Sequence, residues 1–115
     1  MSHKTPNALS ARQTSHAAIF SALGDETRLA LLARLCNGKR QSISQLTAGT
    51  KLTRQAITKH LRVLETAGIV HGVRAGRKSL FEFNPRPIKD IAEHLELVSQ
   101  RWDRALSRLK SFVEK

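Results

Sequence analysis

The chain has 115 residues, the size of one domain with a single modest core, and its 20 basic and 9 acidic residues give a formal net charge of +11. So large a charge opposes compaction unless a polyanion or a partner subunit balances it. Nucleic acid is the first candidate, ahead of a membrane surface or an acidic protein. The single cysteine, Cys36, excludes an internal disulfide and indicates a reducing cytoplasm, and no stretch approaches the ~20 apolar residues that span a bilayer.

The first residues predict a polar N-terminal tail that precedes one helical domain. Residues 1–13 lack the apolar core of a signal peptide, so we expect a flexible tail there and a single domain at 14–115. HAAIFSAL, residues 16–23, then predicts a short helix that Gly24 ends. Its apolar side carries Ile19, Phe20 and Leu23.

Two further helix starts follow. Asp25 stands where an N-cap belongs, with Glu26 favourable in the first turn of a helix that runs through TRLALLARLC and ends at Gly38. A second start signal at Ser44 opens a short helix, SQLTAG. The connections are tight, which predicts a compact unit of three helices together with the next one.

KLTRQAITKHLRVLETAG, residues 51–68, predicts an amphipathic helix over about 54–67. Thr53 is its expected N-cap and Gly68 its C′ residue. The apolar residues recur three or four apart and predict a packed stripe: Ile57, Leu61 and Leu64. The positions between them hold hydrogen-bonding or cationic side chains: Arg54, Gln55, Thr58, Lys59 and Arg62.

The pattern then changes from helix to strand. IVHGV and SLFEF are rich in β-branched and aromatic residues, and the turn-forming RAGRK joins them, which predicts a β-hairpin over about 69–84. Three cations lie at or beside its tip: Arg74, Arg77 and Lys78.

The C-terminal segment predicts one long helix over about 87–113, with Pro87 in its first turn. Its apolar residues follow a seven-residue repeat, with Ile88, Leu95, Trp102 and Leu109 at one position and Ile91, Val98, Ala105 and Phe112 at the other. A helix so long cannot bury the whole seam against so small a domain. The seam therefore predicts pairing with a second copy of the chain.

Three helices followed by a basic hairpin are the arrangement of a winged helix-turn-helix, whose last short helix enters the major groove. Arg pairs bidentately with guanine and Gln with adenine. The predicted recognition surface comprises Thr53, Arg54, Gln55, Thr58, Lys59 and Arg62. The wing cations Arg74, Arg77 and Lys78 would contact the DNA backbone or minor groove, and Ser44 and Gln45 would bind phosphate. The alternative, a merely solvated helix face, is disfavoured by the hairpin and by the concentration of positive charge in residues 25–86.

LGDETRLALLARL, SQLTAGTKLTRQAITKHLRVLETAGIV and GVRAGRKSLFEFNP resemble the ArsR/SmtB family of bacterial dimeric repressors over roughly residues 14–113. The resemblance implies a winged-helix dimer, paired through its first and last helices, that leaves its operator when an effector binds. The implied interface comprises Ile19, Phe20, Leu23, Ile91, Leu95, Val98, Trp102, Ala105, Leu109 and Phe112. The chain departs from the family at Lys51, where many members have glycine; a left-handed lysine there would cost on the order of 1 kcal/mol.

The metal ligands of the family are incomplete in this chain. Ser42 and Ser44 stand where arsenic sensors carry a pair of cysteines, and serine supplies no thiolate. Asp90 and His94 match the first half of a zinc site, but the later stretch SQRWDRALSRLK contains no histidine, so two ligands per subunit leave a tetrahedral site open unless other groups join. We therefore predict no metal and no cofactor, and expect Cys36 to pack on an apolar stripe rather than sense redox state.

The sequence thus predicts a cytoplasmic, homodimeric, sequence-specific DNA-binding regulator, most simply a repressor, with no catalytic residues. A non-specific architectural DNA-binding protein is the alternative, since charge and fold serve both. A protein-interaction module built on the heptad helix is a third hypothesis, which the cationic front of the chain disfavours. Trp102 is expected to pack in the dimer seam, with the lining of an apolar effector pocket between subunits as its alternative role.

Overall fold

The computed structural model describes the backbone of residues 8–114 and the side chains of residues 16–114. The elements in chain order are α1 (Ala8–Leu23), α2 (Glu26–Leu35), β1 (Gln41–Ser42), α3 (Ile43–Thr47), α4 (Arg54–Thr66), β2 (Val70–Ala75), β3 (Lys78–Phe83) and α5 (Arg86–Val113). The predicted mainly α fold with a small β-hairpin is confirmed, and α4, α5 and the hairpin match their predicted bounds to within one residue at each end.

Helix α1 begins at Ala8 instead of the predicted His16, and so takes in part of the segment predicted as a tail. Residues 1–7 lie outside the described part of the chain. The segment ALSARQTS contains Ala, Leu, Arg and Gln, which favour helix intrinsically. Its polar composition indicated a tail, but extending an existing helix requires no new nucleus and therefore costs little.

Helix α2 is capped as predicted, because the Asp25 carboxylate accepts the backbone N–H of Arg28 at 3.0 Å. The prediction that Cys36 packs on the apolar stripe is wrong, since this residue is the exposed C-cap of α2. The buried side of the helix ends one residue earlier. It consists of Leu31, Leu32 and Leu35.

Helix α3 begins at Ile43 with Ser42 as its N-cap, which corrects the predicted start at Ser44. Ser42 Oγ accepts from the Gln45 amide at 3.1 Å, and Gln45 Oε1 accepts from the Ser42 amide at 2.8 Å. Only the first of the two serines has a glutamine three residues later, so only it can form this reciprocal capping box. Ser42 also ends β1, a two-residue strand too short to be predicted from alternation.

The turn between α3 and α4 uses Gly49, and not residue 51, as its left-handed position. Gly49 has φ 82°, and within the described residues no residue other than glycine has positive φ. The Thr50 amide and hydroxyl both donate to the Thr47 carbonyl, at 3.1 and 2.7 Å. Lys51 therefore carries no left-handed strain, and the expected cost does not arise.

The sheet has the antiparallel order β1-β3-β2. Strands β2 and β3 pair from Val70 opposite Phe83 to Ala75 opposite Lys78, which leaves a two-residue turn. Gly76, with φ 62°, takes the first turn position, as a hairpin of this length favours.

The core lies where α1, α2, α3, α4, the sheet and the first turns of α5 meet. Its buried side chains are Ile19, Ala22, Leu31, Leu32, Leu35, Leu46, Ile57, Leu61, Leu64, Ile69, Val70 and Ile91. This burial corrects two residues of the implied dimer interface. Ile19 and Ile91 are 4% and 5% exposed in the single chain, so their own subunit already covers them.

Helix α5 extends beyond the core. Ile88 and Ile91 pack against the core, whereas Leu95, Trp102 and Phe112 of the same heptad seam are exposed by 49%, 64% and 78%. None of the helices within residues 8–114 is long and apolar enough to cross a membrane. Four of the eight residues of the predicted seam, namely Leu95, Trp102, Leu109 and Phe112, are therefore exposed in the single chain.

Candidate nucleic-acid interface

Helix α4 separates a buried side from an exposed, donor-rich side. Gln55, Lys59 and Arg62 share one face, because residues three and four apart lie one above the other on a helix, and all three are exposed. Within residues 16–114 their side chains make no hydrogen bond or ion pair. The opposite face holds the predicted apolar stripe of Ile57, Leu61 and Leu64. This exposed row can meet a ligand without first breaking an internal contact.

Arg54 and Gln55 occupy the first turn of α4, as predicted, and both are exposed. Thr53 precedes them as the N-cap, its hydroxyl accepting the Ala56 amide at 3.1 Å. Thr58 is half-buried and donates its hydroxyl proton to the Arg54 carbonyl at 2.7 Å. Thr53 thus keeps a hydroxyl proton for a phosphate oxygen, whereas Thr58 keeps only acceptor capacity.

The start of α3 is less available than predicted. Ser44 is exposed, but the Gln45 amide donates to Ser42 and the Gln45 side-chain oxygen accepts from it. The predicted phosphate contact of Gln45 therefore cannot use its backbone amide, which already donates to Ser42. The side-chain nitrogen of Gln45 remains available as a hydrogen-bond donor.

The wing cations do not share one face of the hairpin. Arg74 pairs with Ser79 and Ala75 pairs with Lys78, and successive strand residues point to opposite faces. Arg74 and Lys78 consequently lie on opposite faces, with Arg77 in the turn between them. All three cations are exposed, and a single DNA backbone passing one face of the wing would meet Arg77 and one of the other two.

Sequence reasoning missed that Arg34 holds the helix-turn-helix together. Its guanidinium donates to the carbonyls of Gln45 and Leu46, both at 2.6 Å, at the C-terminal end of α3. In return, the Gln41 side chain donates to the Arg34 carbonyl at 2.9 Å. Carbonyls at a helix end need such partners, so Arg34 fixes α3 to the last turn of α2. The partners of Arg34 are 7 to 14 residues away in the sequence, and no local pattern identifies them.

A second arginine, Arg28, links three helices. It donates to the carbonyls of Ala22 and Ser21 at the end of α1, at 2.6 and 3.3 Å, and to Nδ1 of His60 in α4 at 3.3 Å. Beside it, the hydrogen bond from the Arg28 amide lowers the pKa of Asp25 from its ordinary value. The only local signal is the position of Arg28, three residues after the capping Asp25, and this position does not identify its distant partners in α1 and α4.

A third arginine belongs to a cross-strand ion pair. Arg40 donates to Glu82 at 2.8 Å, and His71 donates from Nε2 to the other oxygen of the same carboxylate. The hydrogen bond from Arg40, followed by that from His71, lowers the pKa of Glu82. Arg28, Arg34 and Arg40 therefore serve internal contacts, and the positive charge of residues 25–86 overstates the number of cations available to DNA.

The residues considered for metal binding lie on two separate elements, the serines at the start of α3 and Asp90 and His94 on α5. Ser42 caps α3, and the His94 ring lies beside His16 of α1, with ring centres 4.7 Å apart. Among the side chains of residues 16–114, no group of three or more His, Cys, Asp or Glu is placed to hold a metal ion.

Comparison with known proteins gives consistent matches. Residues 25–71 match the sequence profile described as "Bacterial regulatory protein, arsR family". The uncharacterized HTH-type transcriptional regulator YuzN of Bacillus subtilis (strain 168) is 41% identical over 80 residues, which cover 64% of this chain and 87% of that protein.

Solved structures match the fold over most of the chain. An ArsR-like transcriptional regulator from Rhodococcus sp. RHA1 superposes with a TM-score of 0.80 and 34% identity, over 89% of this chain and 95% of that one. A homodimeric winged helix-turn-helix DNA-binding domain from Mycobacterium bovis gives 0.63 and 22%, over 92% and 94%. At 22% identity, the similarity to the Mycobacterium bovis domain concerns the fold alone.

Proposed function

The chain belongs to the arsR family of bacterial regulatory proteins and is a transcriptional regulator with a winged helix-turn-helix DNA-binding fold, and from that premise we propose that two copies bind one near-palindromic operator and repress transcription there. The observation that carries the proposal is the exposed row of Gln55, Lys59 and Arg62, opposite the stripe that packs α4 on the core.

In this proposal α4 enters the major groove with its N-terminal turn first. Arg54 and Gln55 contact base edges, where their side chains form bidentate pairs with guanine and adenine. Lys59 and Arg62, farther along the exposed side, bind phosphates and fix the register of the helix. Thr53 adds a phosphate contact through the hydroxyl proton that its capping role leaves free.

The wing serves as the anchor. Arg77 in the turn, with either Arg74 or Lys78, meets the backbone or the adjacent minor groove without selecting a sequence. The exposure of all three cations supports this role. Exposed Ser44, at the start of α3, provides a further phosphate contact.

Dimerisation follows from the uncovered seam of α5. Leu95, Trp102 and Leu109 are exposed and lie seven residues apart, and exposed Phe112 follows three residues after Leu109, as in the heptad seam of paired helices. The Mycobacterium bovis domain of the same fold is described as homodimeric. Two-fold symmetry then places two recognition helices about one DNA turn, roughly 34–36 Å, apart.

Repression and its relief are proposed from the family. The protein would act in the cytoplasm, where it blocks transcription until an effector weakens operator binding. The effector proposed is a small molecule and not a thiolate-bound metal, because serines occupy positions 42 and 44 where thiolates would be required.

Random-sequence selection with the purified protein, followed by fluorescence anisotropy at ~0.15 M salt, tests the proposal. An enriched near-palindrome, bound ~10³-fold or more tightly than a scrambled duplex of the same composition, is the expected result. No enriched sequence, with equal and steeply salt-dependent binding to both duplexes, would favour an architectural DNA-binding protein instead. Enrichment of a single half-site would contradict the dimer.

A further inference from the structure

The guanidinium of Arg28 closes the C-terminal end of α1. Its Nε donates to the Ala22 carbonyl at 2.6 Å and its Nη2 to the Ser21 carbonyl at 3.3 Å. The last carbonyls of a helix have no partner within the helix and need one from elsewhere. Arg28 therefore binds α1 through two separate nitrogens of one rigid, planar group.

The remaining nitrogen of the same group binds α4. Arg28 Nη1 lies 3.3 Å from His60 Nδ1. Arginine has only donors, so Nδ1 must be the acceptor, and His60 carries its proton on Nε2. Asp25 Oδ2, 3.7 Å from the same Nδ1, receives no hydrogen bond from it in this tautomer. One guanidinium thus joins the end of α1 directly to α4.

His60 is placed to fix the rotation of α4 about its axis. It is half-buried beside the apolar stripe and follows Lys59, which lies in the exposed row. Burial of the stripe is non-directional and tolerates small rotations, whereas hydrogen bonds weaken steeply when their geometry is distorted. The contact between Arg28 and His60 restrains the one movement that would turn Gln55, Lys59 and Arg62 together.

We propose that Arg28 and His60 are positioning residues for DNA recognition, holding α4 at the rotation that aligns its base-contacting side chains without touching DNA themselves. The proposal rests on the DNA-binding role proposed above. It predicts an effect on sequence discrimination, which depends on aligned hydrogen bonds to base edges. Lys59 and Arg62 turn with the helix, but their attraction to phosphate depends on charge more than on alignment, so non-specific binding should change little.

The experiment compares His60→Leu with His60→Asn, since Asn places a carbonyl oxygen near the position of Nδ1 and Leu does not. Affinity is measured by anisotropy over a salt series, for the duplex selected with the wild-type protein and for its scrambled version. We expect His60→Leu to bind the selected duplex about tenfold more weakly, the effect of one lost hydrogen bond. Binding to the scrambled duplex and its salt dependence should stay unchanged, and His60→Asn should restore most of the loss.

Arg28→Lys tests the other partner, because it keeps the charge but loses the forked geometry. It should reproduce the effect of His60→Leu. Arg104→Lys on α5, at an exposed position, is the matched control for an arginine-to-lysine change and should leave both affinities unchanged. Urea unfolding of each variant establishes that it is folded at the assay temperature, and the His60 pair decides the question if the Arg28 variant does not fold.

Two results would overturn the proposal. If both His60→Leu and Arg28→Lys distinguished the selected from the scrambled duplex as well as the wild-type protein does, the contact would not position α4. A parallel loss of scrambled-duplex affinity and a shallower salt dependence would mean that His60 contacts DNA itself. Failure of the proposed function is separate, since the wild-type protein would then select no duplex at all.

Discussion

Asn84, at the end of the wing, donates from its side-chain nitrogen to the carbonyl of Gly68 at the end of the recognition helix, at 3.1 Å. Its backbone amide donates to the Ile69 carbonyl at 2.8 Å. Gly68 and Ile69 in turn donate to the carbonyls of Glu65 and Leu64, both at 2.9 Å, which completes a Schellman motif. The exit of α4 is therefore fixed to both strands of the hairpin, and this sets the angle between the recognition helix and the wing.

Gly68→Ala should lower the free energy of unfolding by about 1 kcal/mol, because it disturbs the connection between α4 and the wing. Gly68 has φ 78°, which costs a residue with a Cβ roughly 1–2 kcal/mol, partly offset by a less flexible unfolded chain. An added Cβ would lie 3.7 Å from Pro87 Cγ, so the cost is conformational and not steric. Urea unfolding measures it. Gly72→Ala, at a position without positive φ and with no atom closer than 3.5 Å, is the control and should change stability little.

Arg54→Ala should relax preference at one base position in each half-site of the operator. The exposed first-turn arginine is proposed to form a bidentate pair, and its loss should cost about 1–3 kcal/mol against the selected duplex and almost nothing against others. Anisotropy with single-base variants of the selected duplex identifies the position. Equal weakening on all duplexes would show that Arg54 binds phosphate.

Arg77→Ala should weaken binding to all duplexes about equally. The residue lies in the exposed turn of the wing, where each subunit's contact with a phosphate releases about one counterion, so the slope of log K against log salt should fall by ~2 for the dimer. A salt titration on selected and scrambled duplexes measures this slope. A change in base preference with an unchanged slope would contradict the anchoring role.

Local signals were sufficient for α4, α5 and the wing. Asp25, Thr53 and Gly68 occupy the capping positions that the sequence predicted, because a cap depends on side chains within three or four residues. The spacing of Ile57, Leu61 and Leu64 likewise defined both faces of α4 before any tertiary contact was known. The exposed positions on α4 that are proposed to bind DNA could therefore be predicted from the spacing of these apolar residues alone.

Long-range contacts could not be predicted in the same way. Arg34 and Arg28 resemble DNA-binding cations in sequence, yet they donate to backbone carbonyls and to a histidine 32 residues away. Net charge alone does not distinguish a cation that closes a helix end from one that faces solvent. Ile19 was expected at the dimer interface, but the packing of α1 on the core buries it. In each case the partner comes from another element.

Asp25→Asn should reduce the dependence of stability on acid pH. The Arg28 amide lowers the folded-state pKa of Asp25 below its ordinary value of 3.8, so ionised Asp25 contributes stability that is present above 3.8 and is lost as pH falls through the folded pKa. Asn keeps a capping oxygen but does not titrate. Unfolding free energies from urea titrations should differ most between the two proteins near neutral pH and converge in acid. Parallel curves would show that Asp25 does not titrate differently on folding.

Leu109→Glu should prevent dimerisation, whereas Leu97→Glu should not. The two side chains are almost equally exposed in the single chain, 58% and 55%, but only Leu109 belongs to the heptad seam of α5. A glutamate at position 109 would be buried without a partner twice in a two-fold symmetric interface, at a cost that the remaining seam contacts cannot offset. Sedimentation velocity at micromolar concentration should give a monomer for Leu109→Glu and a dimer for Leu97→Glu. Because the two variants add the same charge to the same helix, an identical state for both would show that the seam is not what joins the subunits.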